Sequence, residues 1–327
     1  MNQPPNSVMA REVLTVQFTH PGGEHAVSRL EKVTGIKEWN YGPHRRKYLK
    51  SSGQYVTNDG SLSSKQDLLF WGEWEPISKF GSVASSVATG VVPKYCHEPF
   101  LCVKNGSLVV PPFYNGKYVT RKDGSKDPLK RQNTDPFVFG DCFLYSCCKQ
   151  RRCMKKSSVT QFTKMGNLDR GSLILFGSTI SPKQGGLYFV LDTVFVVADY
   201  NEYYSGTAQK DLAGIVPKDY YEIMGFKGWS PHNNFILYRG ATVAKPVNGM
   251  FSFVPCKPCA SGNVGFPRVK LTSSDIPSVI SDNLNASPKF SGDSVILPKN
   301  CWNQVCAIVK KQGFEMGVNF EYGYRTR

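Results

Sequence analysis

The chain has 327 residues, with 40 Lys and Arg against 25 Asp and Glu, a formal net charge of +15. That length supports a real core without disulfide or metal staples, and an aromatic content of 13% excludes a disordered chain, which is aromatic-poor. The positive surplus favours a polyanion as partner, nucleic acid first, over a small acidic substrate or an acidic protein.

The first residues, Met1-Asn2-Gln3-Pro4-Pro5-Asn6, lack the basic start and apolar run of a signal peptide. No stretch approaches the ~18–20 uninterrupted apolar residues of a membrane span. A cytoplasmic protein is expected, with no membrane and no obligate protein partner. Val13 to Phe18 alternates like a strand and runs into a Pro-Gly-Gly loop. Leu68 to Pro76 reads as a short strand ended by Pro. Leu101 to Val103 and Leu108 to Val110 flank an Asn105-Gly106 turn, a hairpin pattern. Gly171 to Gly177 and Leu187 to Val197 read as central strands covered on both faces, joined through Pro182 to Gly186. Phe235 to Gly240 and Met250 to Val254 repeat that texture. Helical periodicity is weak from Lys218 to Met224. It is clear from Asn300 to Lys311, with Asn300 as N-cap and Gly313 as stop. The expected fold is α+β, sheet-dominated and mixed, with few helices and a C-terminal helix. Residues 1–280 would form one β-rich nucleic-acid-binding and catalytic domain. Residues 281–327 would be a linker, rich in Ser, Asn, Asp and Pro from Ser281 to Gly292, plus the helix packing on that domain.

The ten cysteines read as reduced thiols, many of them buried. Cys256-Lys-Pro-Cys259 has zinc-ligand spacing, but Cys301 and Cys306, at i and i+5, do not share a helical face, so no zinc site is expected. His20, Glu24 and His25 flank a Gly-Gly turn without the i, i+4 helical pair of zincins. No metal and no cofactor are expected. There is no phosphate-cradling Gly-rich loop, no Gly-x-Ser-x-Gly elbow and no dinucleotide fingerprint, so kinase, hydrolase-elbow and nicotinamide readings have no support.

Charge is concentrated. Between Lys117 and Lys156 there are eleven Lys and Arg against four acids, and His44 to Lys50 is a second basic knot. Arg45, Arg46, Lys47, Arg121, Lys122, Arg131, Lys149, Arg151 and Arg152 are the expected contacts to a DNA backbone. Within the basic stretch lies Asn133-Thr-Asp135-Pro-Phe137-Val-Phe139-Gly-Asp141. Over about four residues it resembles the Gln-Asp-Pro-Tyr core of uracil-DNA glycosylases, where the Asp positions water and the aromatic shapes the base pocket. Trp71 and Trp74, with Phe70 and Phe80 near them and Glu73 and Glu75 between, have the composition of a pocket for a flipped base, or equally of a Trp-anchored core edge. Asp192 stands inside an apolar run, where an acid must be paired, hydrogen-bonded or neutral; pairing with Arg or Lys and a site role both remain open.

Several blocks taken together are similar to a bacterial anti-phage DNA glycosylase family that removes α-glucosylated hydroxymethylcytosine from phage DNA. They are Thr19 to His25, Arg45 to Leu49, Phe70 to Pro76, Asn133 to Asp141, Gly171 to Ser178, Leu191 to Val196, and Tyr238 to Gly240 with Phe251 to Phe253. The resemblance implies base flipping and hydrolysis of an N-glycosidic bond to leave an abasic site, in phage defence. It transfers no catalytic residue, so the assignments rest on local chemistry. A glycosidic transition state with oxocarbenium character needs a carboxylate to offset positive charge and orient water. Asp135 is first for that role, with Asp192 and Glu73 behind it. Trp71, Trp74, Phe137, Phe139 and Asn133 would form the base pocket. A lyase route has no evidently desolvated Lys. The alternatives are a non-catalytic reader of modified bases with an aromatic cage, and a metal-dependent nuclease.

Overall fold

The computed structural model describes residues 10–19, 46–76, 78–82, 95–105, 107–109, 118–120, 126–128, 134–153, 160–180, 186–224, 234–259, 266–277, 289–291 and 296–326. Strands run in chain order as β1 (Thr15–Thr19), β2 (Lys47–Val56), β3 (Gln66–Gly72), β4 (Ser78–Ser82), β5 (Tyr95–Lys104) and β6 (Ser107–Val109). Next come β7 (Tyr118–Thr120), β8 (Lys126–Pro128), β9 (Leu144–Tyr145), β10 (Arg151–Cys153), β11 (Thr160–Phe162), β12 (Leu173–Ile180) and β13 (Tyr188–Tyr204). The last are β14 (Asn234–Gly240), β15 (Val254–Pro258), β16 (Val269–Leu271), β17 (Lys289–Ser291), β18 (Glu315–Phe320) and β19 (Gly323–Thr326). Helices are few among the described residues: α1 (Ala208–Asp211), α2 (Tyr220–Met224) and α3 (Ile296–Lys311). No helix among the described residues is long and apolar enough to cross a membrane.

Two sheets carry the molecule. The first is ordered β17-β1-β12-β13-β14-β9, with β16 also on β13. β1 runs parallel to β12, and β12 pairs antiparallel with β13. Alternation divides β12 between two cores: Ile174 and Phe176 enter one, Leu173 and Leu175 the other. This is why the segment reads as a continuous apolar run. The second sheet is ordered β18-β15-β3-β2-β5-β19. Within it, β18 pairs with both β15 and β2, so β2, β3, β15 and β18 close a small antiparallel barrel. At Gly53, where β2 passes from β3 to β18, a Cβ would lie 2.1 Å from the Asn319 carbonyl oxygen, so only glycine fits.

The C-terminal region departs from expectation in two ways. Residues 289–291 of the expected linker form β17 on β1, and β18 is an integral strand of the second sheet. The region is therefore woven into both sheets and is not set apart. Helix α3 begins at Ile296, a turn before Asn300, because Pro298 is tolerated in a first helical turn. Cys301, Val305 and Val309 form its buried face, at i, i+4 and i+8, and Gly313 ends it with φ 74°.

Candidate active site

The acid inside the apolar strand is placed by a bulge. Phe176 pairs with Thr193 and Gly177 with Leu191, which leaves Asp192 as the extra residue of β13. Gly177 permits this close approach, since a Cβ there would lie 2.1 Å from the Val190 carbonyl oxygen. Two guanidinium groups meet the Asp192 carboxylate. Arg46 Nε donates to Oδ2 at 2.6 Å, and Arg268 Nη1 donates to Oδ1 at 3.0 Å. Arg46 Nη1 also donates to Glu73 Oε2 at 2.5 Å, so one arginine spans two carboxylates. Arg268 donates to Ser178 Oγ at 3.1 Å, and its segment is pinned where Trp71 Nε1 donates to the Phe266 carbonyl at 2.9 Å.

Arg46, Arg268, Asp192 and Glu73 are all buried, none more than 3% exposed. Each ion loses several kcal/mol of hydration on burial, about enough to cancel its pairing energy, so such a cluster needs near-complete hydrogen bonding to survive. Burial pushes the Glu73 carboxyl up to about 8; Arg46 pulls it down, and Glu75 and Asp135 add to the rise. Burial opposes the charge on Arg46, but Glu73 and Asp192 outweigh it and hold the guanidinium protonated. Lys47 follows Arg46 on the strand and takes the opposite face, where its Nζ donates to the Trp74 carbonyl. Burial lowers it to about 8, with Glu75 and Glu73 countering. A desolvated lysine, which the sequence did not single out, is therefore present.

Asp135 sits beside this cluster, fully buried, on a cis Asp135–Pro136 peptide. Its Oδ1 accepts the Ser146 N–H at 2.9 Å, and its Oδ2 accepts those of Cys147 and Cys148, both at 2.9 Å. Burial raises its pKa against those three donors. Thr134 Oγ1 accepts the Glu75 N–H at 3.1 Å and ties this turn to the end of β3.

The structure thus brings Glu73, Asp192 and Asp135 into one neighbourhood, but changes the parts played around them. Trp71, Trp74, Phe137 and Phe139 are core residues, at most 5% exposed. Trp74 packs on Phe139 at 4.9 Å between ring centroids, and Phe139 on Phe137 at 5.6 Å. Their faces are spent on one another and on Tyr48, Tyr220 and Tyr322, so they wall no open pocket. Arg46 and Lys47 are buried and are not DNA-backbone contacts, because Arg46 just before β2 and Lys47 at its start run inward with Tyr48 and Leu49. Lys149 is half-buried, its Nζ donating to the Thr19 carbonyl at 2.6 Å. Arg151 donates to the Asn234 carbonyl and side chain, and Arg152 is exposed. Arg45, Arg121, Lys122, Arg131 and Asn133 lie outside the described residues, as do His20, Glu24 and His25. Phe80 lies on β4, and its side chain is likewise outside them. Cys256 and Cys301 are buried on separate elements, and they form no metal-ligand group with Cys259 and Cys306 among the described residues. Arg268 escaped the sequence reading, since no motif marks it. Two surface clefts, of about 400 and 430 Å³, are lined by other residues, Lys50 and Tyr322 in one and Arg170 and Arg239 in the other.

No protein-family model, no curated protein and no solved structure matches this chain.

Proposed function

We propose that this protein is a DNA glycosylase that flips a modified base, glucosylated hydroxymethylcytosine in phage DNA, and hydrolyses its N-glycosidic bond. The observation that carries the reading is the pair of carboxylates on Arg46, of which Glu73 is raised to about 8 by burial. A departing base needs a proton, and a carboxyl still protonated at neutral pH can give one. The sugar left behind gains positive charge, which the partner carboxylate offsets. Glu73 is the proton donor in this scheme and Asp192 the stabilising carboxylate, water adds to the sugar carbon and returns a proton to Glu73, and Arg46 and Arg268 position the two acids. Asp135 holds the turn from Ser146 to Cys148 and is not assigned to the chemistry. The net charge of +15 supplies the sequence-independent hold on DNA.

Incubation with glucosylated phage DNA followed by alkali tests the proposal. Strand scission only after alkali is expected from the native chain, and its loss is expected in Glu73→Gln at unchanged circular dichroism. A retarded but intact duplex would indicate a reader of modified bases instead. Scission before alkali, abolished by a chelator, would indicate a nuclease. Because the carboxylates are buried, a base can reach them only if their surroundings part. Bound substrate should therefore speed amide exchange around Arg46 to Leu49 and Gly72 to Glu75.

A further inference from the structure

Cys147 and Cys148 are neighbours in sequence, and in an extended strand their side chains would point apart. Here they lie in the turn between β9 and β10, and their Sγ atoms stand 4.0 Å apart. The turn is fixed from several sides. Three successive N–H groups converge on Asp135, Tyr145 Oη donates to the Cys148 carbonyl at 2.5 Å, and Tyr203 Oη donates to the Ser146 carbonyl at 3.2 Å. Lys149 then leaves the turn with φ 60°, in the left-handed region. The result is two thiols and a carboxylate oxygen within 4.8 Å of one another.

The sulfur–sulfur spacing suits a tetrahedral thiolate centre. Zinc–sulfur bonds of about 2.3 Å at a tetrahedral angle put two sulfurs roughly 3.8 Å apart. A carboxylate has about four acceptor positions. Backbone N–H groups occupy three of those on Asp135, and the Cys147 thiol hydrogen-bonds to the same carboxylate, so a metal bound by both would take the place of that thiol proton. We propose that Asp135, Cys147 and Cys148 bind a thiophilic divalent cation of the zinc class. The described residues supply three donors, which leaves a further coordination position for water or an incoming ligand. The site does not depend on glycosylase activity, because none of its ligands is assigned to that chemistry.

The test uses the full chain, purified under reductant and titrated with zinc and, separately, cadmium. One equivalent of tightly held metal is expected, with a sulfur-to-cadmium charge-transfer band in the ultraviolet. Cys147→Ser and Cys148→Ser should each lose the band and most of the zinc, whereas Cys142→Ser and Cys256→Ser should keep both. Zinc should also shield Cys147 and Cys148 of the unaltered chain from alkylation, read by peptide mass spectrometry, a measurement that needs no variant to fold. Absence of bound metal in the folded protein, or unchanged alkylation of this pair with zinc bound, would overturn the assignment.

Discussion

Glu73 holds its proton because burial outweighs the guanidinium beside it, and this has a measurable consequence for folding. Its carboxyl moves from an ordinary 4.5 to about 8 on folding, so between those values the native state binds a proton that the unfolded chain releases. Stability therefore falls as pH rises through that window. Lys47 acts in the next window with the opposite sign. It is lowered from 10.5 to about 8, so the unfolded chain is the more protonated one there and stability rises with pH. Glu73→Gln should flatten the fall between pH 4.5 and 8, read as urea midpoints across that range, and start the alkaline rise at lower pH, since Glu73 helps hold the Lys47 proton. A slope identical to that of the native chain would mean that Glu73 is ionised when folded. The same buried setting explains why Arg46 and Lys47 are not legible in the sequence. A run such as His44 to Lys50 reads as a solvated surface, and only the burial of Tyr48 and Leu49 shows that the strand turns it inward.

At the scale of elements, the bulge in β13 is what converts an awkward acid into a placed one. Gly177→Ala would put a methyl group against the Val190 carbonyl and the Phe189 ring. Relief of that clash should cost about 1–3 kcal/mol of stability. Because the register of Asp192 would shift with it, the proposed glycosylase activity should fall by more than the loss of folded protein accounts for. Thermal unfolding and a single-turnover assay on the same preparation separate the two effects. The central parts of these strands are readable, because Leu173 to Phe176 of β12 and Phe189 to Val197 of β13 are buried on both faces and, Asp192 and Thr193 apart, apolar. The paired state of Asp192 was foreseeable in kind, since a buried carboxylate demands a partner. The identity of the partners was not: Arg46 is 146 residues away and Arg268 is 76. The aromatic residues illustrate the same limit. Trp74 and Phe139 have the composition of a base pocket and of a core alike, and only the rings packed against them decide.

For the molecule as a whole, the charge balance makes the proposed DNA binding an ionic-strength experiment. Affinity for unmodified duplex should fall linearly with salt on logarithmic axes, and removing the exposed Arg152 should reduce the slope by about one. An unchanged slope would take Arg152 off the DNA path. The closed barrel has a different consequence, one of timing. Its β2–β18 seam continues into the Ser51–Glu321 contact, a hydrogen bond between residues 270 positions apart. Synthesis at ~5–20 residues per second makes β2 wait tens of seconds for that partner. Through that interval the Gly53–Val56 end of β2 offers unpaired backbone groups to any neighbouring chain. The cell that makes this protein must shelter an open strand edge until the last side of the barrel arrives.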